Sequence, residues 1–351
     1  MTHKLLGRRF RYVAGKRAFS MSDDALAARD EFSDRHRGAA GLVPLDCFCC
    51  GESAFDVISE IDRYGFFYPT GVCRTCGFVQ QSTYYDEQTL RLFYEQYYPR
   101  IYGRGTPADL HALQRRSRGN RVYDFIHKRL TPRRVLEVGC SAGGVLISFH
   151  EGGSSVFGVD LDPECVAYAQ SLGMEAAVGS VDAVPSGETF DLIILSHVLE
   201  HVTEPKTFLA NVAAKLSDDG TLYIEVPSLE SIRNGACGHD LLRYWQNAHV
   251  SHFTMKTLAN VCAQVGLRNV ACTEVIESCW VRTPETLAMP FAGDETNRDA
   301  HALLRDIERT RRRNLMNVAG VSSVLRGAAS QLADATALGR GAKRLLKRNR
   351  S

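Results

Sequence analysis

The chain has 351 residues, 44% hydrophobic and 23% charged, with a formal net charge of +2. That length exceeds one ordinary domain and suffices for a full core. Eleven cysteines are too few and too unevenly spaced for a disulfide scaffold, no run approaches the roughly 18 to 20 apolar residues of a membrane span, and no hydrophobic block follows the charged start to make a secretory signal. A soluble, cytoplasmic globular protein is expected.

Residues 1–40 read as a basic, polar leader, with Lys4, Arg8, Arg9, Arg11, Lys16 and Arg17 and no acid among the first twenty. The other end matches it, with "RTRRR" at 309–313 and "KRLLKR" at 343–348. Such blocks are expected to be solvated faces; phosphate attraction or peripheral contact of the tail with an anionic membrane is the functional counterpart. Residues 41–80 hold Cys47-x2-Cys50-Gly and Cys73-x2-Cys76-Gly. Four thiolates in two such knuckles predict a closed, structural Zn2+ site, with the glycines easing each turn; Cys49 falls outside the pairing.

An aromatic helical connector follows at 81–130, carrying Tyr84, Tyr85, Phe93, Tyr94, Tyr97, Tyr98 and Tyr102. These rings are expected either to cover an acceptor or to form a small core. Arg100 and Arg104 are candidate partners for a nucleotide diphosphate, and the front of the chain is expected to act as a lid whose removal spares cofactor binding. From 131 to 280, short apolar runs ("RVLEVGC", "SVFGVDL", "EAAVGS", "FDLIILS", "TLYIEVP", "LRNVACTEVI") alternate with amphipathic stretches. That alternation predicts a parallel sheet with crossover helices. One helix is expected to keep Leu209, Val212 and Leu216 on one face. Another, starting at Thr254, should bury Leu258, Val261, Cys262 and Val265 and stop at Gly266. Residues 281–351 read as a basic helical extension.

The turn after the first of these strands, "RVLEVGCSAGG", has Gly139, Gly143 and Gly144 where a backbone would approach a ligand. It departs from a dinucleotide loop in two ways: Ser141 replaces the second glycine, and Glu137 places an acid two residues before the first. That acid opposes a phosphate and suits an ammonium group. About twenty residues on, Asp160 ends the next strand, where a carboxylate accepts from ribose hydroxyls.

The ordered set of this loop, Asp160, the block "FDLIILSHVLEHV" and the turn and strand "DDGTLYIEVP" resembles the class I S-adenosylmethionine-dependent methyltransferases. The resemblance implies a Rossmann-like, doubly wound α/β sheet and S-adenosylmethionine as cofactor. It also implies that Glu137, Gly139, Ser141 and Gly143 line the methionine part, Asp160 holds the ribose and Leu161 flanks the adenine. Val181 and Asp182 should reach the adenine edge, with Ser196 and His197 closing the floor. With the cysteine segment, "GFVQ" and the tyrosine-rich stretch, residues 45–270 further resemble deoxysugar C-methyltransferases and related glycan-biosynthesis enzymes. Where those carry Tyr-x-Glu-His, this chain has Gln246, Asn247, Ala248 and His249. The loss of the Tyr and Glu favours O-methylation of a sugar, nucleotide-sugar or glycan over C-methylation of a deoxysugar.

A hydroxyl nucleophile benefits from a general base. His249 is the first candidate by that resemblance, then His201 and His252. His197 and His201, at i and i+4, lack a third ligand in the sequence and are expected to bind no metal. RNA methylation is a rival reading, motivated by zinc knuckles and basic ends; "LSHVLEH" lacks the Asn/Asp-Pro-Pro-aromatic motif that resembles base-nitrogen methylation. A noncatalytic scaffold is opposed by the intact acids and glycines.

Overall fold

The computed structural model describes residues 2–36, 42–103, 105–273, 277–291 and 293–316. Before the loop discussed above lie β1 (Thr2–His3), β2 (Leu42–Pro44), β3 (Phe55–Ile61), β4 (Phe67–Cys73), β5 (Val79–Gln81) and β6 (Thr83–Tyr85). The central strands are β7 (Arg134–Val138), β8 (Ser155–Asp160), β9 (Glu175–Val178), β10 (Phe190–Ser196) and β11 (Leu216–Glu225). Then come β12 (Ser251–His252), β13 (Leu267–Cys272) and β14 (Glu277–Arg282).

Seven strands form the main sheet, in the order β13-β14-β11-β10-β7-β8-β9. β9, β8, β7, β10 and β11 run parallel, and β14 enters antiparallel to β11. The order reverses between β7 and β10, the switch point at which open α/β sheets bind ligands. β10 is buried at nearly every residue, as continuous apolar runs between two helical layers must be. This is the Rossmann-like α/β architecture expected.

Two element expectations need correction. The helix around Leu209 and Val212 ends at Ala213; Leu216 pairs with Phe190 and opens β11, because the Phe190 N–H bonds the Lys215 carbonyl at 2.9 Å and draws the chain onto the sheet. The run "LRNVACTEVI" ends at Cys272, and β14 folds back on it antiparallel; residues 274–276 lie outside the described segments. The helix Met255–Ala263 matches its expectation: Thr254 and Thr257 form a capping box, and Leu258, Val261 and Cys262 are buried.

A second sheet, β1-β3-β4-β5-β12, joins the front of the chain to the central domain. The leader supplies β1, and the helix Asp23–Arg35 starts at Ser22, whose side chain caps the Ala25 N–H. β12 comes from the connection after β11 and pairs with β5 through Ser251↔Gln80 and His252↔Val79. Cys47, Cys73, Cys76 and Phe78 share one core with Leu258, Val261 and Cys262, and Phe78 packs edge-on against Phe253, 5.4 Å between centroids. The front segment is therefore not a removable lid, because deleting it would strip the helix Met255–Ala263 of its apolar cover.

The basic blocks are partly internal. Arg9 and Arg311 both pair with Asp240, and Arg9 also meets Glu308 at 3.1 Å. Burial alone would raise the Asp240 carboxyl, but Arg9 and Arg311 hold it below the usual range. These arginines tie the N-terminus to the helix Asp294–Met316. "KRLLKR" lies outside the described residues.

Candidate functional site

The loop after β7 takes its shape from left-handed backbone at Gly139, Ser141 and Gly143, with φ of 76°, 49° and 73°. Glycine makes two of these inexpensive; Ser141 is held there by its N–H, which donates to Asp160 Oδ2 at 2.7 Å. Asp160 Oδ1 accepts from the Asp162 N–H at 2.9 Å, so the carboxylate expected to meet a ribose also fastens the loop. Leu161, beside it, is 78% exposed, an apolar surface available to an aromatic ring. Gly144 has another role. A Cβ there would lie 2.5 Å from the His111 carbonyl oxygen and 2.6 Å from Gln114 Cβ, so it admits the helix Pro107–Gln114 and not a ligand.

Glu137 is 2% exposed, and its Oε2 has no hydrogen-bond partner. Burial raises its pKa to about 8 despite the opposing charge of Arg118. A buried carboxyl oxygen without a partner is costly unless a ligand supplies the donor, and an ammonium at this loop fits that need. Val181 is buried and Asp182 exposed in the short turn Val181–Ala183 after β9.

Ser196 ends β10 beside Glu225 of β11. Its hydroxyl donates to Glu225 Oε2 at 3.1 Å and accepts from Arg118 Nη1 at 3.2 Å. His197 sits at φ 58°, an uncommon value for a side-chain-bearing residue, with Nδ1 3.2 Å from Glu200 and Nε2 3.5 Å from Glu225. Burial opposes its charge, but the two carboxylates hold its pKa up at about 9.

Beyond His197 opens a cavity of about 340 Å3 lined by residues that include Arg63, Tyr98, Tyr102, Glu200, His201 and His249. Tyr98 and Tyr102 stack at 4.4 Å and pack against a small core in which Phe93 and Tyr97 meet Phe32. The aromatic run thus forms the expected small core, and Tyr98 and Tyr102, packed against it, also line the cavity. Arg100 does not reach the cavity: it pairs with Asp24 at 2.7 Å and Glu31 at 3.4 Å. Arg104 lies outside the described residues, and Arg63 is the arginine on the cavity wall.

His249 is 8% exposed, and burial, with His201, His252 and Arg63 nearby, pushes its imidazole well below its usual range. The Gln246 carbonyl oxygen accepts from Arg63 and its amide N–H donates to His249 Nε2, which places the His249 lone pair on Nε2. The third candidate, His252, is corrected. It is wholly buried among Tyr68, Tyr244 and Trp245, bonds Tyr68 Oη at 2.9 Å and does not line the cavity; burial takes its pKa to about 3.

Sequence reading missed Glu200, Arg118 and Arg63. Glu200 carried a signal, a single acid inside the apolar run "SHVLEHV"; Arg118 looked like one more charge in "QRRSRG".

Away from this cavity, Cys47 Sγ lies 3.5 Å from Cys76 Sγ, and Cys50 Sγ 3.5 Å from Cys73 Sγ, with all four within 4.8 Å of one another. Sulfurs at a Zn–S distance of ~2.3 Å in a tetrahedron lie roughly 3.8 Å apart, so the set fits that ion. Gly51 and Gly77 sit at φ 81° and 71° and turn each knuckle. Cys49 points away, to Met289 at 3.6 Å.

Residues 110–272 match the family described as "Methyltransferase domain". A ubiquinone biosynthesis O-methyltransferase of Xanthomonas oryzae is 32% identical over 111 residues, covering 29% of this chain and 46% of that protein. One of Hahella chejuensis is 35% identical over 111 residues, covering 28% and 46%. The chain thus spans about half the length of the curated relatives it matches. Among solved structures, SAM-bound CalS10, an amino pentose methyltransferase from Micromonospora echinaspora, is 16% identical with a TM-score of 0.39, over 50% of this chain and 97% of that one. With the strand order, the family match marks residues 110–272 as a methyltransferase domain on a Rossmann-like α/β sheet.

Proposed function

We propose that the chain is an O-methyltransferase acting on a sugar, nucleotide-sugar or glycan, and that Zn2+ held by Cys47, Cys50, Cys73 and Cys76 stabilises its fold. The observation that carries this reading is the cavity beside the β10 end, which combines a stacked tyrosine wall, Arg63 and a Glu-His cluster. Sugar rings pack on aromatic faces, and an arginine fork suits a diphosphate. That the matched relatives are named O-methyltransferases favours oxygen as the methylated atom.

Glu137, Gly139, Ser141 and Gly143 would hold the methionine part of the donor, Asp160 the ribose, and Leu161, Val181 and Asp182 the adenine, over a floor of Ser196 and His197. S-adenosylmethionine, when bound, supplies an electrophilic methyl carbon on a sulfonium. The chain's own contribution is to orient the acceptor and take its hydroxyl proton, for which His249 Nε2 offers its lone pair once the Gln246 amide that now donates to it moves aside. Calorimetry with S-adenosylmethionine, then product NMR after incubation with nucleotide-sugars, tests the reading. Micromolar donor binding and an O–CH3 signal are expected. A C–CH3 signal would move the reaction to carbon, salt-sensitive RNA binding with methylated RNA would move it to nucleic acid, and no donor binding would leave a scaffold.

Glu137→Gln is expected to weaken donor binding roughly tenfold to a hundredfold, the worth of one charged hydrogen bond, without lowering the melting temperature. In the free protein the Glu137 pKa is about 8, and an ammonium ligand would favour the carboxylate. Binding near pH 7 should therefore release a proton, and affinity should rise with pH until about 8. Calorimetry in two buffers of different ionisation heat reads that proton; equal heats would count against the assignment.

A further inference from the structure

We infer that Glu200, His201 and His249 form a divalent-cation site in the acceptor cavity, and that the acceptor is a compound presenting two adjacent oxygens, such as a vicinal diol. The inference rests on the methyltransferase reading for its acceptor, but the cation site stands on its own geometry. Glu200 Oε1 is 4.0 Å from His201 Nε2 and 4.0 Å from His249 Nε2, and one ligand atom from each residue lies within 4.8 Å of the others. A triangle of that size has a centre no more than about 2.5 Å from each corner, so a small inward movement reaches the ~2.0 to 2.2 Å of imidazole and carboxylate bonds to a metal such as zinc.

The proton positions point the same way. His201 Nδ1 lies 2.8 Å from the Ala248 carbonyl oxygen. A carbonyl only accepts, so Nδ1 carries the hydrogen and Nε2 the lone pair, the arrangement that orients metal-ligating histidines. His249 Nε2 also bears its lone pair, which accepts from the Gln246 amide nitrogen, so a cation would displace that amide. Two imidazole lone pairs and a carboxylate oxygen thus converge. Glu200 is 1% exposed and its second oxygen, Oε2, has no hydrogen-bond partner. Such a convergence of acceptors calls for positive charge between them. His197 Nδ1 meets the same Glu200 oxygen at 3.2 Å, but it keeps Glu225 at 3.5 Å as a second partner and can yield its place.

Here the expectation of no metal at His197 and His201 changes. The third ligand absent from the local sequence comes from Glu200 and from His249, some fifty residues downstream, while His197 stays with the carboxylates. Two imidazoles and one carboxylate suit Mn2+, Fe2+, Co2+ or Zn2+ better than Mg2+ or Ca2+. Three protein donors leave coordination positions open toward the cavity, where the two oxygens of a diol would complete the set. A cation there lowers the pKa of a bound hydroxyl, so that its proton can pass to solvent before methyl transfer while His249 serves as a ligand and not as the base.

The test uses the full chain with zinc on its cysteines, titrated with Mn2+, which thiolates bind poorly; free Mn2+ is read from its electron paramagnetic resonance signal. One equivalent should bind, and binding should weaken at least tenfold in His201→Ala and in Glu200→Gln. His201 is one-third exposed at its side chain, so its variant tests the site even if the buried Glu200 change disturbs folding. Absence of binding, or equal binding by wild type and both variants, overturns the site. Donor calorimetry on the same samples keeps the two readings apart: donor affinity retained without Mn2+ binding rejects the cation alone, whereas Mn2+ bound without donor affinity rejects methyl transfer alone.

Discussion

Replacement of Cys73 by serine is expected to destabilise the whole chain, not only the cysteine segment. Structural Zn2+ in small domains carries an apparent ~10 to 16 kcal/mol at neutral pH, comparable with or larger than the net stability of most proteins, ~5 to 15 kcal/mol. Here that stabilisation cannot remain local. Cys73 ends β4, β4 pairs with β5, and β5 pairs with β12 in the central domain. Cys47, Cys73 and Cys76 share a core with Trp280, Leu258 and Val261. Loss of one thiolate should therefore lower the single melting transition by more than ten degrees or remove it, and a strong chelator should do the same to the wild type. Cys272→Ser, at an exposed position, is the control and should melt normally. An unchanged transition for the Cys73 variant, followed by circular dichroism with released zinc measured colorimetrically, would reject the metal.

His249→Ala is expected to lower turnover at least about a hundredfold, in the range that loss of a general base gives, while leaving donor affinity within about twofold. The separation follows from position. His249 belongs to the cavity with Arg63 and Tyr102, whereas the loop after β7, proposed to hold the donor, contacts Asp160 and the helix Pro107–Gln114. The His249 backbone carbonyl, which accepts from Tyr68 and Gln81, survives the substitution, so folding should too. Near wild-type turnover would remove His249 from the chemistry, whether as a base or as a ligand.

The central fold could be read from the sequence because its signals are local. β7, β8 and β10 are short apolar runs, each followed by a turn residue or an acid at the strand end, and the capping box of Thr254 lies within four residues. The tight glycine turn after β7 was legible for the same reason. What was not legible depends on long-range pairing. Nothing near Ser251 and His252 announces a partner at residues 79 and 80, so His252 looked like a free histidine when it is a core residue. Glu200 could be seen, but its meeting with His249 depends on how the connection after β11 returns over the sheet. Arg100 and Arg9 looked equally available as charges. Only the structure shows Arg100 spent on Asp24 and Arg9 on Asp240.

The five-stranded sheet also bears on how the protein is made. Its edge strand β12 is synthesised about 175 residues after Cys76. At ribosomal rates of roughly 5 to 20 residues per second, the finished cysteine knuckles wait about 10 to 35 s for that strand. During this interval the apolar faces of Phe78 and Val79 lack Phe253 and His252. A metal captured early would hold β4 and β5 together through that wait, so zinc supply during translation, and not only in the finished protein, should set how much of the chain folds.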